Sequence, residues 1–372
     1  MRRIAILALL GLGTLASAEA QTFPTADPVI RRIWEEGMTS KSRVADLAQA
    51  LMDSIGPRLS GSPGFLAATD WAMDRYREFG IPARKEQYGT WRGWRRGYTH
   101  LDLIAPRVRT LDGIMLAWSP GTAKVSEGEA ILVPDLPDSA AFRAWLPNAR
   151  GKFVLWSQAE PTCRPDENWE RLARPETVER MKAERGALRG SWRQRVQRLG
   201  RNALAALDES GAAGILTSNW SAGWGVNKIF NAATTTVPML DVSCEDYGLV
   251  FRLASNGQGP KIRLDARSEE LGETPMFNVV AELKGSEKPD EYVLLGAHLD
   301  SWDGGSGATD NGTGTVMMME AMRLLKLAYP NPKRTILVGH WGAEEQGLVG
   351  SRAFAEDHKE VMAGLQTAFN QD

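Results

Sequence analysis

The chain is poor in the residues that most often declare a mechanism. Its 372 residues hold two cysteines and four histidines. Two cysteines exclude a disulfide-dense scaffold and any all-cysteine metal knot. Lysine plus arginine number 44 against 46 aspartates and glutamates. That near-balance provides no global field to draw in nucleic acid or an anionic membrane. No stretch beyond the N-terminal segment is long and apolar enough to span a bilayer. Internal repeats and low-complexity tracts are also missing. The Cys163 and Cys244 spacing leaves two readings open, one disulfide closing a long loop or two buried thiols.

What is present begins with residues 1–20, which read as an export signal. Arg2-Arg3 precedes an apolar run from Ile4 to Leu15, followed by Ala16-Ser17-Ala18-Glu19-Ala20. A charged start, a short apolar stretch and an Ala-x-Ala site give cleavage after Ala18 or Ala20. The expected destination is periplasmic or extracellular. No cysteine follows the site, so a lipid anchor is not expected.

Residues 21–122 read as the first part of the main domain. Val44, Leu47, Leu51 and Met52 recur at helical spacing, and a loop with glycine and proline precedes a second helix, Phe65 to Phe79, which Gly80 and Pro82 stop. Trp91 to His100 interleaves aromatics with arginines. With balanced charge, an exposed strand pair with snorkelling arginines is favoured over base stacking; a place for His100 in a substrate pocket stays open. Across 123–265 short apolar strands recur between glycines and prolines, as in Glu129–Val133, Gly151–Trp156 and Gly214–Thr217. Within it, 166–209 is helix-patterned and rich in Arg and Glu. Mixed charge reads as a solvated helical hairpin, with a lid or a homodimer contact as the alternative.

The chemistry gathers in 266–372. Strands are predicted at Phe277–Leu283, Tyr292–Gly296, Thr335–Val338 and Leu365–Phe369, with helices at Gly314–Tyr329 and Ser351–Met362. Strand, helix, strand, helix, strand argues for an α/β fold whose sheet is mixed but mostly parallel, with right-handed crossovers. Ligand sites in such sheets lie past the carboxyl ends of strands. His298 and Asp300 follow one strand, with Asp310 in the loop beyond. Glu344 and Glu345 follow the next strand, and Asp372 follows the last. Zinc accepts imidazole nitrogen and carboxylate oxygen, and an aspartate can bridge two metals. A neighbouring carboxylate that is not a ligand can move the proton of an attacking water. Asp300 is placed to orient the imidazole.

His298-Leu299-Asp300, Asp310-Asn311-Gly312 and Ala343 to Ser351 resemble the co-catalytic di-zinc aminopeptidases of the leucyl aminopeptidase superfamily. Gly296 to Asp303 and Pro332 to Thr335 are most similar to the plasma glutamate carboxypeptidase (carboxypeptidase Q) subgroup. Residues 123–265 look like the inserted, β-rich protease-associated domain that several peptidase classes carry. The resemblance implies a zinc-exopeptidase (phosphorylase/hydrolase-like) fold, peptide or dipeptide substrates and two Zn2+ per intact site. It implies that Asp310 bridges, His298 and Asp372 complete one zinc, Glu345 binds the other, and Glu344 is the general base. The family's second zinc also takes a later histidine, and none follows Asp372. His340, within a strand, and His358, on a helix, are expected to be structural or exposed. The domain 266–372 is therefore expected to be incomplete at its C-terminus. Two alternatives on the same fold are a catalytically dead binding protein and a glutaminyl-cyclase-like enzyme with a single zinc. The intact Glu344-Glu345 pair weighs against the first, and the His298-Leu299-Asp300 match against the second.

Overall fold

The computed structural model describes residues 25–226 and 229–372. The export signal expected at 1–20 lies outside the described residues. The chain opens with helices whose starts are written locally. Helix α1 (Pro28–Gly37) is capped by the Asp27 carboxylate, which accepts from Val29 N and Ile30 N. α2 (Val44–Ala48) runs into a wider turn over Gln49–Ile55, and α3 (Pro63–Glu78) is capped by Ser62. In α1 and α3 a proline sits in the first turn, where its missing N–H costs nothing.

A long antiparallel ribbon then ties the molecule together. Strand β1 (Ala83–Ala105) pairs with β8 (Lys261–Leu283) from Ala83↔Ala281 to Ala105↔Lys261. It contains the aromatic and arginine run. Trp94 is buried, while Arg95 reaches across to Glu269 at 2.7 Å, and Arg263 reaches Asp102 at 3.0 Å. These cross-strand pairs are exposed and fix register more than they stabilise. The ribbon shifts register at Gly93, where an added Cβ would sit 2.1 Å from Thr274 Oγ1.

Each end of the ribbon joins a different set of strands. Toward the end of β8, Leu283 to Val279 pair antiparallel with β10 (Arg334–Trp341), which lies parallel to β9 (Lys288–His298); β11 (Leu365–Asn370) lies parallel to β9 on its other side. The connections are α9 (Thr313–Ala328), then α10 (Val349–Asp357) and α11 (Lys359–Gly364). Side chains alternate between two covered faces, as a parallel sheet requires. Val279, Ala281, Leu295, Ala297 and Val338 pack under α3 and α9, whereas Val280, Leu294 and Leu337 pack under α10 and α11. The strand–helix–strand order expected for 266–372 is the one observed.

At the other end β8 pairs with β4 (Ser126–Leu132), and β4, β5 (Phe153–Leu155), β6 (Gly214–Thr217) and β7 (Met239–Val242) lie parallel in that order. Two short strands, β2 (Arg109–Thr110) and β3 (Gly113–Met115), pair with β1 and β7. The helices are α4 (Ser139–Trp145), α5 (Asp166–Leu172), α6 (Pro175–Leu199), α7 (Ala203–Asp208) and α8 (Cys244–Ser255). Two expectations are corrected. The segment 123–265 is not β-rich: its strands are short and parallel, and parallel neighbours need crossovers, which here are helical. The expected helical hairpin is one 25-residue helix, α6, with short helices at each end. Gly186 and Gly190 sit inside α6 without breaking it, since a glycine costs only ~1 kcal/mol there. The packing also crosses the 122/123 division, because Leu101, Leu103 and Met115 share a core with Phe153, Leu240 and Tyr247.

Candidate metal centre

Three strand ends converge on one imidazole. His298 is the last residue of β9 and is 3% exposed. Its ring is set from behind, with Nδ1 3.0 Å from the Asp300 carbonyl oxygen and 3.6 Å from Asp300 Oδ1. Nε2 then faces the carboxylates, at 3.1 Å from Asp310 Oδ1, 3.2 Å from Asp372 Oδ1 and 3.9 Å from Glu344 Oε2. Ligand atoms of His298, Asp310 and Asp372 all lie within 4.8 Å of one another. The histidine is buried, while the Asp310 and Asp372 side chains are exposed, so the cluster opens to solvent on its carboxylate side.

Asp300 has a wider task than orienting the ring. Fully buried, it accepts Glu344 N at 3.0 Å on Oδ1 and Glu345 N at 3.3 Å on Oδ2. It thereby clamps the loop after β10 against the end of β9. Ser60 Oγ lies 3.5 Å from Oδ2. Asn311 ties the loop after β9 to the end of β11 and the start of α9: its Nδ2 donates to Gln371 O at 2.7 Å, and its Oδ1 accepts Gly314 N at 2.9 Å. Thr315 Oγ1 donates to His298 O at 2.8 Å. The Asp310–Asn311 peptide is cis.

Beneath the cluster sits a residue that sequence reading left in a loop. Arg58 is 0% exposed and donates to four backbone carbonyls: Leu299 from Nε at 2.7 Å, Gly56 and Ser306 from Nη1 at 2.9 Å each, and Gly307 from Nη2 at 2.8 Å. Its own N–H donates to Ser301 Oγ. The guanidinium thus holds the loop that runs from His298 to Asp310. Burial lowers its pKa to about 10, with Asp300 and Asp310 pulling the other way. The only local signal was an arginine among glycines and prolines, and its carbonyl partners other than Gly56 lie 241 to 249 residues away.

The charges suit a cation. Burial lowers the His298 pKa, but Asp300, then Glu344 and Asp310, outweigh it and push the group up to about 9. Burial and the carboxylates around it push Glu345 up to about 7, and burial raises Glu344 as well. Glu345 Oε1 is buried without a hydrogen-bond partner. An imidazole nitrogen ringed by carboxylate oxygens, with one carboxylate left unsatisfied, fits a zinc ion by donor type. Of the six residues singled out from the sequence, His298, Asp310 and Asp372 form the compact cluster. Glu344 stands beside it and Asp300 behind it. Glu345 is electrostatically coupled to Asp310 but outside the three-residue cluster.

The other histidines are elsewhere. His340 is fully buried with Tyr76 Oη 2.6 Å from its Nε2, and burial lowers its pKa to about 4. His358 lies 3.0 Å from Glu86 and 3.3 Å from Glu360. His100 is exposed on the ribbon against Tyr98, its ring centroid 4.8 Å from the tyrosine's.

Residues 278–372, the segment that carries the cluster, match the model of Peptidase family M28. Carboxypeptidase Q of Homo sapiens is 30% identical over 333 residues, covering 90% of this chain and 65% of that protein. The mouse protein of the same name, from Mus musculus, is 31% identical over 83% of this chain and 60% of its own. The chain thus spans less than two thirds of the length of these relatives. Among solved structures, a Peptidase M28 precursor from Shewanella amazonensis is similar with a TM-score of 0.64 and 26% identity, covering 92% of this chain and 73% of that one. A zinc aminopeptidase from Bacillus subtilis shares the fold, with a TM-score of 0.54 at 18% identity over 89% of this chain and 68% of that one.

Proposed function

We propose that this chain is a zinc-dependent exopeptidase, an aminopeptidase or dipeptidase acting on short peptides. The observation that carries the reading is the convergence of His298 and Asp310, at and beyond the end of β9, with Asp372 beyond β11 and Glu344 beyond β10. His298, Asp310 and Asp372 would hold one zinc, and Asp310 with Glu345 would contribute to a second, more weakly held ion. When bound, zinc supplies Lewis acidity toward a peptide carbonyl and lowers the pKa of water. Glu344 is the general base: its carboxylate takes the proton of the attacking water and passes it to the leaving amine. Its raised pKa moves it toward the range in which that exchange is efficient. Asp300 fixes Glu344 and Glu345 through their backbone N–H groups. Arg58 holds the loop between His298 and Asp310 from below.

Export to the periplasm or the extracellular space belongs to the same reading. The Cys163–Cys244 disulfide supports it, since such bonds persist in oxidising compartments. No helix among the described residues is long and apolar enough to cross a membrane.

Zinc analysis paired with turnover of a dipeptide and an aminoacyl anilide tests the reading. Glu344→Gln is expected to keep its zinc and lose roughly a thousandfold in kcat, in line with general-base catalysis. Undiminished hydrolysis would remove Glu344 as the base. Two zinc ions of equal, tight affinity per chain would overturn the ranking of the two positions.

A further inference from the structure

Away from the metal centre, a groove of about 860 Å³ lies between α6 and the loops that follow β5 and β6. Pockets for small ligands run ~300–1,000 Å³, so this one has room for a short peptide. It sits where an α/β sheet gathers ligands, past the carboxyl ends of parallel strands. Its walls are aromatic, with Trp156, Trp192, Trp220 and Phe230 among the lining residues. Arg193 and Arg201 also line it. Neither has an ion-pair or hydrogen-bond partner among the described residues, whereas Arg189 on the same helix is paired with Glu160 at 2.9 Å. Ser218 lines it too, and its buried Oγ is unpartnered.

The wall of this groove is built rather than incidental. Tyr247 Oη accepts Ser157 N at 2.7 Å and donates to Ser157 O at 2.6 Å, and Ser157 Oγ accepts Ser218 N at 3.0 Å. The Cys163–Cys244 disulfide pins the following loop to α8. Buried Arg185 donates to the Thr162 and Arg164 carbonyls and pairs with Asp166, while its guanidinium lies 4.1 Å from the Trp220 ring centroid. A wall held this way loses little entropy when a ligand settles on it.

The geometry points to a second ligand site here, for short peptides that end in an aromatic residue with a free α-carboxylate. The tryptophans stack the ring, and the unpaired guanidiniums of Arg193 and Arg201 take the carboxylate, for which the arginine fork is matched. One rim, Phe230, meets Trp302 in an edge contact at 5.3 Å, two residues past Asp300, so the groove reaches the loop that follows His298 without including any residue of the cluster. The site does not depend on hydrolysis at that centre.

The experiment is a titration of the full chain in EDTA with N-acetyl-Ala-Phe and with its C-terminal amide, read by calorimetry and tryptophan fluorescence. The acid is expected to bind saturably and the amide about tenfold more weakly, as for loss of a charge-assisted pair. Arg193→Gln with Arg201→Gln is expected to bring the acid down to the amide's affinity. The matching double lysine substitution, which keeps the charge, should restore part of it. His298→Ala should leave binding unchanged. Equal binding of acid and amide would overturn the proposal. So would loss of binding in His298→Ala with retention in the double glutamine variant, or no saturable binding to natively folded chain at millimolar ligand.

Discussion

The two sheet ends of this molecule use one device for different chemistry. In each, a buried aspartate on or just past one parallel strand accepts hydrogen bonds from the loop that follows its neighbour. Asp300 beyond β9 holds the loop after β10 through Glu344 N and Glu345 N. Asp241 in β7 holds the loop after β6 through Asn219 N at 2.7 Å and accepts from Thr217 Oγ1, at the end of β6, at 3.2 Å. One clamp presents carboxylates to an imidazole; the other holds the loop that carries Trp220 at the edge of the groove. The sheet supplies an edge and a way to fix its loops, and the residues after each strand decide what that edge binds. Loop identity, not strand layout, separates the two sites.

If the ends are independent, breaking one leaves the other intact. The largest effect is expected from opening the Cys163–Cys244 bond, which spans 81 residues of sequence. Chain-entropy reasoning gives a loss of about 4 kcal/mol for a loop of that size. Urea unfolding of Cys163→Ser with Cys244→Ser should show that loss, while calorimetric zinc affinity stays at the parent value. A matching fall in zinc affinity would join the two ends into one unit.

The clamps themselves are expected to differ. Asp300→Asn offers one acceptor oxygen where two backbone N–H groups each have their own, so one donor is left against an amide nitrogen. The cost is roughly 3 kcal/mol, with a loss of zinc affinity. Asp241→Asn keeps the oxygen that accepts these hydrogen bonds, because Asn219 and Thr217 converge on Oδ1. Burial already pushes Asp241 up to about 7, so only about half of its charge is there to lose at pH 7. Chemical denaturation of both variants at pH 7 should separate them clearly.

The metal-edge strands were legible in sequence because each is an apolar run between glycine or proline signals, and each candidate ligand lies past such a run. His298, Asp310 and Asp372 needed only that rule. Arg58 and the clamping role of Asp300 did not show, since their partners lie 44 to more than 240 residues away and leave no local period. The ribbon was half legible: Trp91 to His100 reads as an exposed strand pair, but its full register with β8 depends on two faces changing burial along their length. The helical bulk of 123–265 was missed because three short apolar strands outweighed the mixed-charge stretch between them. The disulfide required geometry, with Cα atoms 5.6 Å apart, which spacing does not provide.

A smaller effect comes from pH, and it marks the metal edge. His298 in the metal-free chain has a folded pKa of about 9 against 6.5 unfolded. A raised pKa adds stability below pH 6.5 that is lost as pH climbs to about 9. Glu345 and Asp241, both pushed up to about 7, act in the same direction but have finished titrating by then. Between pH 7.5 and 9 the EDTA-treated chain should therefore lose about 2 kcal/mol. Zinc requires a neutral imidazole and should flatten that limb. Denaturant midpoints across the range, with and without zinc, check it.

The smallest effect tests whether the second buried histidine belongs to the site at all. His340 lies in β10, one strand from His298, yet faces Tyr76 of α3 rather than the carboxylates. Its Nδ1 has no partner and burial lowers its pKa to about 4, so it is neutral and occupied only with packing and one hydrogen bond. Tyr76→Phe removes that bond and should cost about 1 kcal/mol, with zinc affinity and kcat at parent values. A fall in zinc affinity as large as that of Asp300→Asn would mean that the Tyr76–His340 contact sets the position of β10's end, and the metal edge would then extend through the sheet into α3.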